Sequence, residues 1–192
     1  MTPLVLASTS IYRHELLTKL GLPFQSVKPN FDEETAKTTK QKPRDLCLFL
    51  GQEKARSLST AENCVIGSDQ MVVLDDQILG KPGSISQACL QLKKMSGKKH
   101  ELLTSVSIYY QGQEHSHLNI TSMTMQTLSE EQILKYVQLD QPLDCAGSYK
   151  IEKNGISLFD KIETDDFTAI QGLPLLKVSQ ILRKFGYKVP FV

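Results

Sequence analysis

Short apolar runs alternate with amphipathic segments along this chain, a pattern typical of proteins that alternate strands and helices. The run Leu4–Ala7 predicts a buried strand, and the polar residues 8–10 after it predict the start of a helix that stops at Gly21. Residues 24–27 predict a second strand, and Pro43 predicts the first turn of a helix that continues to about residue 57. This order of elements favours an α/β sheet protein.

The rest of the chain keeps this alternation. Residues 64–74 predict a strand whose apolar pattern is interrupted by the polar quartet Gly67-Ser68-Asp69-Gln70, and a turn at residues 75–76 leads to a short return strand. Four further elements follow: a helix over about 86–96, a long antiparallel hairpin of residues 102–110 and 117–128, a helix from the capping-box pattern at Ser129 to about 139, and a last helix ending near Gly186. Residues 35–42 carry almost nothing apolar and are predicted to be a mobile loop. We therefore expect an α/β sheet with a hairpin-bearing second lobe.

Composition excludes several classes of protein. The 192 residues carry 22 Lys and Arg against 21 Asp and Glu, and a net charge of +1 leaves no broad basic field for a nucleic acid or an anionic membrane. No apolar run approaches the roughly 20 residues of a membrane helix, and the first residues lack the pattern of a signal peptide. The 4 cysteines form no CxxC pair and are expected to be reduced. These features predict a cytoplasmic protein that binds any anion through a local cluster of cations.

The first candidate site is the polar turn after the first strand. A strand that ends at serines and threonine just before a helix presents free backbone N–H groups and the positive end of the helix dipole, which together suit a phosphate. Ser10 and Arg13 are three residues apart, so they share a face of the first helical turn and can converge on one anion. The alternative is an N-cap serine beside a solvated arginine.

The second candidate is Asp69, which interrupts an apolar strand. Its position predicts that it lies in a core or at the wall of a cleft, where an unpaired carboxylate costs several kcal/mol. The neighbouring Gly67 allows another backbone or a ligand to approach closely. A carboxylate on a rigid strand can hold a metal ion or accept a proton from water. A salt bridge or a hydrogen bond to a turn is the structural alternative.

Three further charged residues fall near the ends of predicted elements: Glu33, Lys54 and Lys81. Taken singly, each fits a solvated surface residue. Together with the two candidates above they would form a triphosphate site, in which cations bind the phosphates and carboxylates hold a divalent metal. The sequence has no Walker, GxGxxG, GxSxG or HExxH signature, and its histidines have no metal-ligand spacing.

In order and spacing, these residues resemble the Maf family of nucleotide pyrophosphatases. The resemblance covers about residues 3–184 and rests on seven motifs: Ser8-Thr9-Ser10-Ile11-Tyr12-Arg13, Asp32-Glu33, Glu53-Lys54-Ala55, Gly67-Ser68-Asp69-Gln70, Gly80-Lys81-Pro82, Cys145-Ala146-Gly147-Ser148-Tyr149 and Gly172-Leu173-Pro174. It implies a single domain over residues 1–192 with two lobes around a central cleft, in which a mixed sheet is flanked by helices as in inosine triphosphate pyrophosphatases.

The resemblance also implies an activity, which is hydrolysis of a nucleoside triphosphate to the monophosphate and pyrophosphate with a divalent metal, Mg²⁺ or Mn²⁺. At the matching positions, Asp69 would activate water and share the metal with Glu33. The phosphates would be bound by Ser10, Arg13, Lys54 and Lys81. The chemistry is coherent, because the cations offset charge on the departing pyrophosphate while a carboxylate takes the proton.

Three positions linked to base specificity in the family look like Tyr12, Gln70 and Glu152. An aromatic residue, glutamine and glutamate there resemble the branch that acts on 7-methyl-GTP. An aromatic ring can stack on a cationic methylated purine, and a carboxylate can accept hydrogen bonds from guanine. The alternatives are an enzyme that prefers dTTP or UTP, and a nucleotide-binding regulator of cell division without turnover.

One position departs from the family pattern. His14 stands where a second arginine is usual, so we expect weaker phosphate binding or a mild pH dependence. If this position faces the phosphates, His14→Arg should lower KM. Members of the family are often dimers, so the resemblance also implies a homodimer, and no nucleic-acid or membrane partner is expected.

Overall fold

The computed structural model describes residues 2–33 and 41–189, so most of the loop predicted at residues 35–42 lies outside the described residues. Within these ranges the chain forms seven strands, β1 (Leu4–Ala7), β2 (Phe24–Val27), β3 (Cys64–Leu74), β4 (Gln77–Leu79), β5 (Lys99–Tyr110), β6 (Gln113–Met125) and β7 (Phe159–Glu163). It also forms five α-helices, α1 (Ile11–Thr18), α2 (Pro43–Arg56), α3 (Ile85–Met95), α4 (Glu130–Asp140) and α5 (Leu175–Lys184).

The strands form one mixed sheet. Their order is β2-β1-β3-β5-β6-β7, and β4 pairs with β3. β1 is parallel to both β2 and β3, whereas β4 and β7 are antiparallel to their partners. The predicted α/β class with a mixed sheet flanked by helices is confirmed.

Local sequence explains most element ends, and one prediction needs correction. The capping box at Ser129 is present, since the Ser129 and Gln132 side chains each accept from the other residue's backbone N–H. The hairpin turn consists only of Gln111 and Gly112, with φ of 48° and 75°, so β6 begins at Gln113 rather than at residue 117. Two consecutive left-handed residues match the twist of the strands. The polar residues directly after the turn can therefore pair with β5, although their sequence is typical of a loop.

The chain divides into two compact units. The first contains Met1–Asp69, Thr104–Asn119 and Asp166–Val192, and the second contains Gln70–Leu103 and Ile120–Asp165. The boundary falls inside β3, β5 and β6, so these three strands pass from one unit into the other.

The core of the first unit lies on both faces of its part of the sheet. Leu4 and Leu6 of β1 pack with α1 and α5, whereas Val5 and Ala7 pack with α2. This is the alternation expected of a strand that is covered by helices on both faces. The side chain of any β3 residue in this unit therefore faces either α1 and α5 or α2.

In the second unit, α3 packs against α4 and against a short 3-10 helix at Ala146–Ser148. The buried apolar residues of these two helices recur at helical spacing and are Ala88, Leu92, Met95, Ile133, Tyr136 and Val137. Across residues 2–33 and 41–189, the structure has no helix that is both long and apolar enough to span a bilayer. The four cysteines all lie in the described ranges and are free thiols, with Cys47 and Cys64 buried.

Candidate active site

Strand β3 places two neighbouring polar side chains on opposite faces of the sheet. Ile66 belongs to the core under α1 and α5, and Val65 packs with Ala55 of α2. Because side chains alternate along a strand, Ser68 faces α1 and α5 while Asp69 faces α2. Both are buried, with exposed fractions of 0% and 7%. The predicted burial of Asp69 is confirmed.

Asp69 is paired with a buried lysine of α2. Lys54 Nζ lies 2.7 Å from Asp69 Oδ1 and 3.0 Å from Glu33 Oε1. The side chain of Lys54 is 6% exposed, whereas that of Glu33 is 34% exposed. One ammonium thus lies between two carboxylates, and this cluster of three charges has a net charge of −1. A lysine ammonium carries three donors, so it can serve both carboxylates and one further acceptor.

The close approach of α2 to β3 depends on glycine at residue 67. A Cβ atom added to Gly67 would lie 2.2 Å from Gly51 O and 2.5 Å from Ala55 N of α2. The backbone of the helix therefore rests directly on the strand, which brings Lys54 within reach of Asp69. The sequence predicts that either another backbone or a ligand lies close to this glycine. In the structure, the backbone of α2 occupies that position.

Ser105 of β5 holds the backbone of Asp69, and sequence reasoning missed it. Its Oγ donates to Cys47 O at 2.6 Å and accepts from Asp69 N at 3.2 Å. The Cys47 thiol lies 3.7 Å from Asp69 O, and burial, with a smaller contribution from the Asp69 charge, raises its pKa to about 12. The thiol therefore stays protonated at neutral pH. The signal in the sequence was a serine at an inward-facing position of a buried strand.

The turn between β1 and α1 is organised by two serines. Ser10 is the N-cap of α1, and its Oγ accepts from Arg13 N at 3.5 Å. Ser8 is buried, and its Oγ accepts from Ser10 N at 3.1 Å and from Arg13 Nη1 at 3.5 Å. Ser10 is thus an N-cap residue, as the alternative interpretation had it. This role leaves its hydroxyl proton for a further acceptor.

Arg13 is held beside the charged cluster rather than in solvent. Its Nε donates to Gly172 O at 2.9 Å. Burial lowers the pKa of Arg13, and the negative charges of Asp69 and Glu33 oppose that effect. Arginine stays protonated in proteins, so the guanidinium is a cation at neutral pH. The first unit therefore brings together Arg13, Glu33, Lys54 and Asp69.

The remaining predicted residues lie elsewhere in the fold. Tyr12 is half-buried on α1, next to Arg13. Gln70 follows Asp69 in β3 as the first residue of the second unit. Lys81 is exposed between β4 and α3, and Glu152 is exposed in the turn before a 3-10 helix at Asn154–Leu158.

The turn that carries Glu152 is tied to α4 by a buried carboxylate. Asp140 is 2% exposed, and its oxygens accept from Asn154 N at 3.1 Å and from Asn154 Nδ2 at 2.6 Å. Lys150 O accepts from both Lys153 N and Gly155 N, which closes the turn. The backbone around Glu152 is therefore fixed from both sides.

His14, which replaces the usual second arginine, contacts strand β2. Its Nδ1 lies 2.8 Å from Ser26 Oγ, and its ring centroid lies 4.9 Å from that of Phe24. In this conformation the imidazole packs on the side of β2, and its contribution to phosphate binding stays a prediction.

The two carboxylates of the cluster suit a divalent cation that arrives with its ligand. No group of three or more His, Cys, Asp and Glu side chains converges within the described ranges. Glu33 and Asp69 nevertheless offer hard oxygen donors next to the same ammonium. Mg²⁺ is commonly bound by one or two carboxylates together with substrate phosphates, so this donor set fits it.

Comparison with known proteins identifies the family. The family model of the Maf-like proteins matches residues 3–185. A 7-methyl-GTP pyrophosphatase of Bdellovibrio bacteriovorus is 48% identical over 179 residues, which cover 93% of this chain and 95% of the relative. One of Xanthomonas campestris pv. campestris is 42% identical over 193 residues, covering 99% and 100%. The Ham1 protein of Staphylococcus aureus has a similar fold, with a TM-score of 0.51 at 12% identity over 94% of this chain and 99% of that one. The chain therefore belongs to the family of Maf-like proteins.

Proposed function

We propose that this protein is a nucleotide pyrophosphatase that hydrolyses a nucleoside triphosphate, preferentially 7-methyl-GTP, to the monophosphate and pyrophosphate. The relatives named 7-methyl-GTP pyrophosphatase, which match nearly the whole chain, support this reaction. The observation that carries the proposal is the buried Lys54 between Glu33 and Asp69. Burying the Lys54 ammonium and the Asp69 carboxylate costs free energy that a purely structural role would not require, and such clusters are typical of catalytic sites.

The proposed chemistry assigns one role to each charged group. Asp69 accepts a proton from the water that attacks the α-phosphorus, and the bond from the α-phosphorus to the bridging oxygen breaks as pyrophosphate leaves. Arg13, the hydroxyl of Ser10 and the N-terminus of α1 bind phosphate oxygens. Lys54 gives its third N–H to the phosphates, and Lys81 adds a further cation. These groups offset the negative charge that develops on the leaving pyrophosphate.

Glu33 and Asp69 would hold the divalent cation, Mg²⁺ or Mn²⁺, which when bound supplies further neutralisation of the phosphate charge. Lys54 keeps both carboxylates in place before any cation arrives.

Base recognition is assigned to Tyr12, Gln70 and Glu152. A tyrosine ring stacks on the cationic methylated guanine, and the Glu152 carboxylate accepts from its N–H groups. Our proposal includes one two-lobed domain over residues 1–192 whose cleft admits the nucleotide, in a cytoplasmic homodimer. Mass measurement in solution tests the homodimer.

The decisive experiment measures pyrophosphate release from 7-methyl-GTP, GTP, dTTP and UTP with Mg²⁺ or Mn²⁺. We expect 7-methyl-GTP to be cleaved best. Asp69→Asn should lose about 10²-fold to 10⁴-fold in rate, because it removes the proton acceptor and one carboxylate donor to the cation, while nucleotide should still bind through Ser10, Arg13, Lys54 and Lys81. Asp160→Asn, at an exposed position of β7, is the matched control and should keep full activity.

Two results would contradict the proposal in different ways. A wild-type protein as inert as Asp69→Asn, with both binding nucleotide, would favour a nucleotide-binding regulator. Faster cleavage of a pyrimidine triphosphate would keep the reaction and overturn the assignment of the base.

A further inference from the structure

We propose that Ser68 is a positioning residue that acts through the carbonyl group of Gly172 to fix the guanidinium of Arg13 for phosphate binding. This inference rests on the proposed function, in which Arg13 binds the triphosphate of the substrate. Ser68 and Gly172 lie in two of the motifs singled out in the sequence, and neither touches the reacting atoms in the chemistry described above.

The geometry joins the three residues at one oxygen atom. Gly172 O accepts from Arg13 Nε at 2.9 Å and lies 2.8 Å from Ser68 Oγ, whose single proton is shared between Gly172 O and the carbonyl oxygen of Ser105. Ser68 is fully buried, and its Oγ also lies 2.7 Å from Ser105 O of β5. The hydroxyl therefore ties the segment around Gly172 to the centre of the sheet.

Glycine at residue 172 is required by this arrangement. Its φ is +102°, a left-handed conformation that residues with a side chain rarely adopt, so the backbone rather than the available space demands glycine here. The next residue, Leu173, is fully buried and anchors the segment in the core.

The chain on both sides of Gly172 is held by buried polar groups. Asp166 Oδ2 accepts from Leu176 N at 2.8 Å, and Thr168 Oγ1 accepts from Leu175 N at 2.8 Å. These bonds satisfy the first N–H groups of α5 and fix the ends of the segment. Ser68 fixes its middle, where the carbonyl oxygen faces Arg13.

The orientation of the guanidinium follows from that carbonyl. Arg13 has five N–H donors in a rigid plane, and the bonds to Gly172 O and Ser8 Oγ use one on Nε and one on Nη1. The other donors then point in a fixed direction, which is what bidentate binding of a phosphate needs. If the Gly172 carbonyl moves, the plane turns and the fit to the phosphate is lost.

The test separates this role from simple packing by measuring anion binding as well as turnover. Inorganic tripolyphosphate is titrated calorimetrically into wild type, Ser68→Ala, Arg13→Ala and the double variant, and KM and kcat are measured with 7-methyl-GTP. We expect Ser68→Ala to raise both Kd and KM about tenfold, with kcat changed less than about threefold, as for a lost binding interaction. In the Arg13→Ala background, Ser68→Ala should change Kd less than about twofold, because the residue acts through Arg13.

Ser107→Ala is the matched control. Ser107 is another buried serine, 1% exposed, and its Oγ donates to Glu114 Oε1 at 3.2 Å on the α2 face of β5. It should lose stability with Kd and KM unchanged. If Ser68→Ala does not fold, Ser68→Cys, which keeps a weak donor of similar size, should fold and give an intermediate Kd.

Each outcome has one meaning. A Ser68→Ala protein with wild-type Kd, or an additive loss in the double variant, would overturn the positioning role. A wild type that binds tripolyphosphate but releases no pyrophosphate would refute the proposed function, and the binding data would still decide the role of Ser68. A wild type that does not bind tripolyphosphate would overturn both.

Discussion

A single methyl group at residue 67 should disable this protein. In the Gly67→Ala variant the new Cβ would lie 2.2 Å from Gly51 O and 2.5 Å from Ala55 N. Both atoms belong to the backbone of α2 and cannot rotate away. Since an ordinary contact is 3.4 Å or more, α2 must move about 1.2 Å away from β3.

That displacement has a cost in stability and a larger one in activity. Overpacking a well-packed interior costs about 1 to 3 kcal/mol, which for a chain of this length lowers Tm by about 2 to 12 °C. The helix also carries Lys54, whose Nζ lies 2.7 Å from Asp69 Oδ1, so the pair is pulled apart. A misplacement of about 1 Å in a catalytic group costs about 10²-fold in rate.

The assay pairs urea unfolding with kcat/KM for pyrophosphate release from 7-methyl-GTP. Gly80→Ala serves as the stability control, because a Cβ there meets nothing within 4 Å and its φ is not in the left-handed range. It should unfold at the same urea concentration as wild type.

The reasoning would be refuted by a Gly67→Ala protein that keeps both wild-type stability and a kcat/KM within about threefold of wild type. Such a result would mean that α2 does not rest on β3 at this glycine. A stable but inactive variant would instead show that the sheet absorbs the displacement while the charged pair does not.

Three further predictions concern buried charges and polar groups. Lys54→Met should lower the free energy of unfolding in urea by about 3 to 5 kcal/mol, because it leaves two carboxylates without their shared cation. Its control is Arg56→Met, at a half-exposed position of the same helix, which should lower that free energy by less than about 1 kcal/mol. Asp140→Ala should destabilise by about 2 to 3 kcal/mol, since it leaves both donors of Asn154 without their acceptor, and it should reduce discrimination between 7-methyl-GTP and UTP in the pyrophosphate assay, because it loosens the turn of Glu152, which reads the guanine N–H groups. Burial lowers the pKa of His100 from 6.5 to about 4, so the unfolded chain binds a proton at His100 more readily than the folded protein does. His100 therefore does not reduce the free energy of unfolding above about pH 6.5. As the pH falls towards 4, protonation of His100 in the unfolded chain lowers that free energy by about 3 kcal/mol. Between pH 7 and pH 4.5, the free energy of unfolding should therefore fall less in the His100→Gln variant than in wild type.

Most of the local structure could be predicted from the order of residues alone. The predicted bounds of β1, β2 and β3 match the structure, and α2 begins at Pro43 as expected. These predictions are confirmed because apolar periodicity and capping chemistry act over a few residues. The early start of β6 was missed, since polar residues beside a two-residue turn look like a loop until the partner strand is known.

The candidate residues were also visible in the sequence, but their contacts were not. Asp69 stood out because a carboxylate in an apolar strand needs a partner, yet nothing local identified Lys54 as that partner. Ser105 and Gly172 carried no signal strong enough to connect them with Asp69 and Arg13. In the chain they lie 36 and 159 residues from those partners.

Which charges meet depends on contacts between elements that are distant in the chain. The contact between Lys54 and the carboxylates exists because a glycine in β3 lets a helix backbone touch the sheet, and alternation along that strand sends Ser68 and Asp69 to opposite faces. The side chain of His14 lies against β2 for the same kind of reason, since the strand that it contacts is placed by sheet pairing. Local pattern fixes which residues are helical, extended or buried, whereas the partners of a buried charge depend on elements brought together from distant parts of the chain.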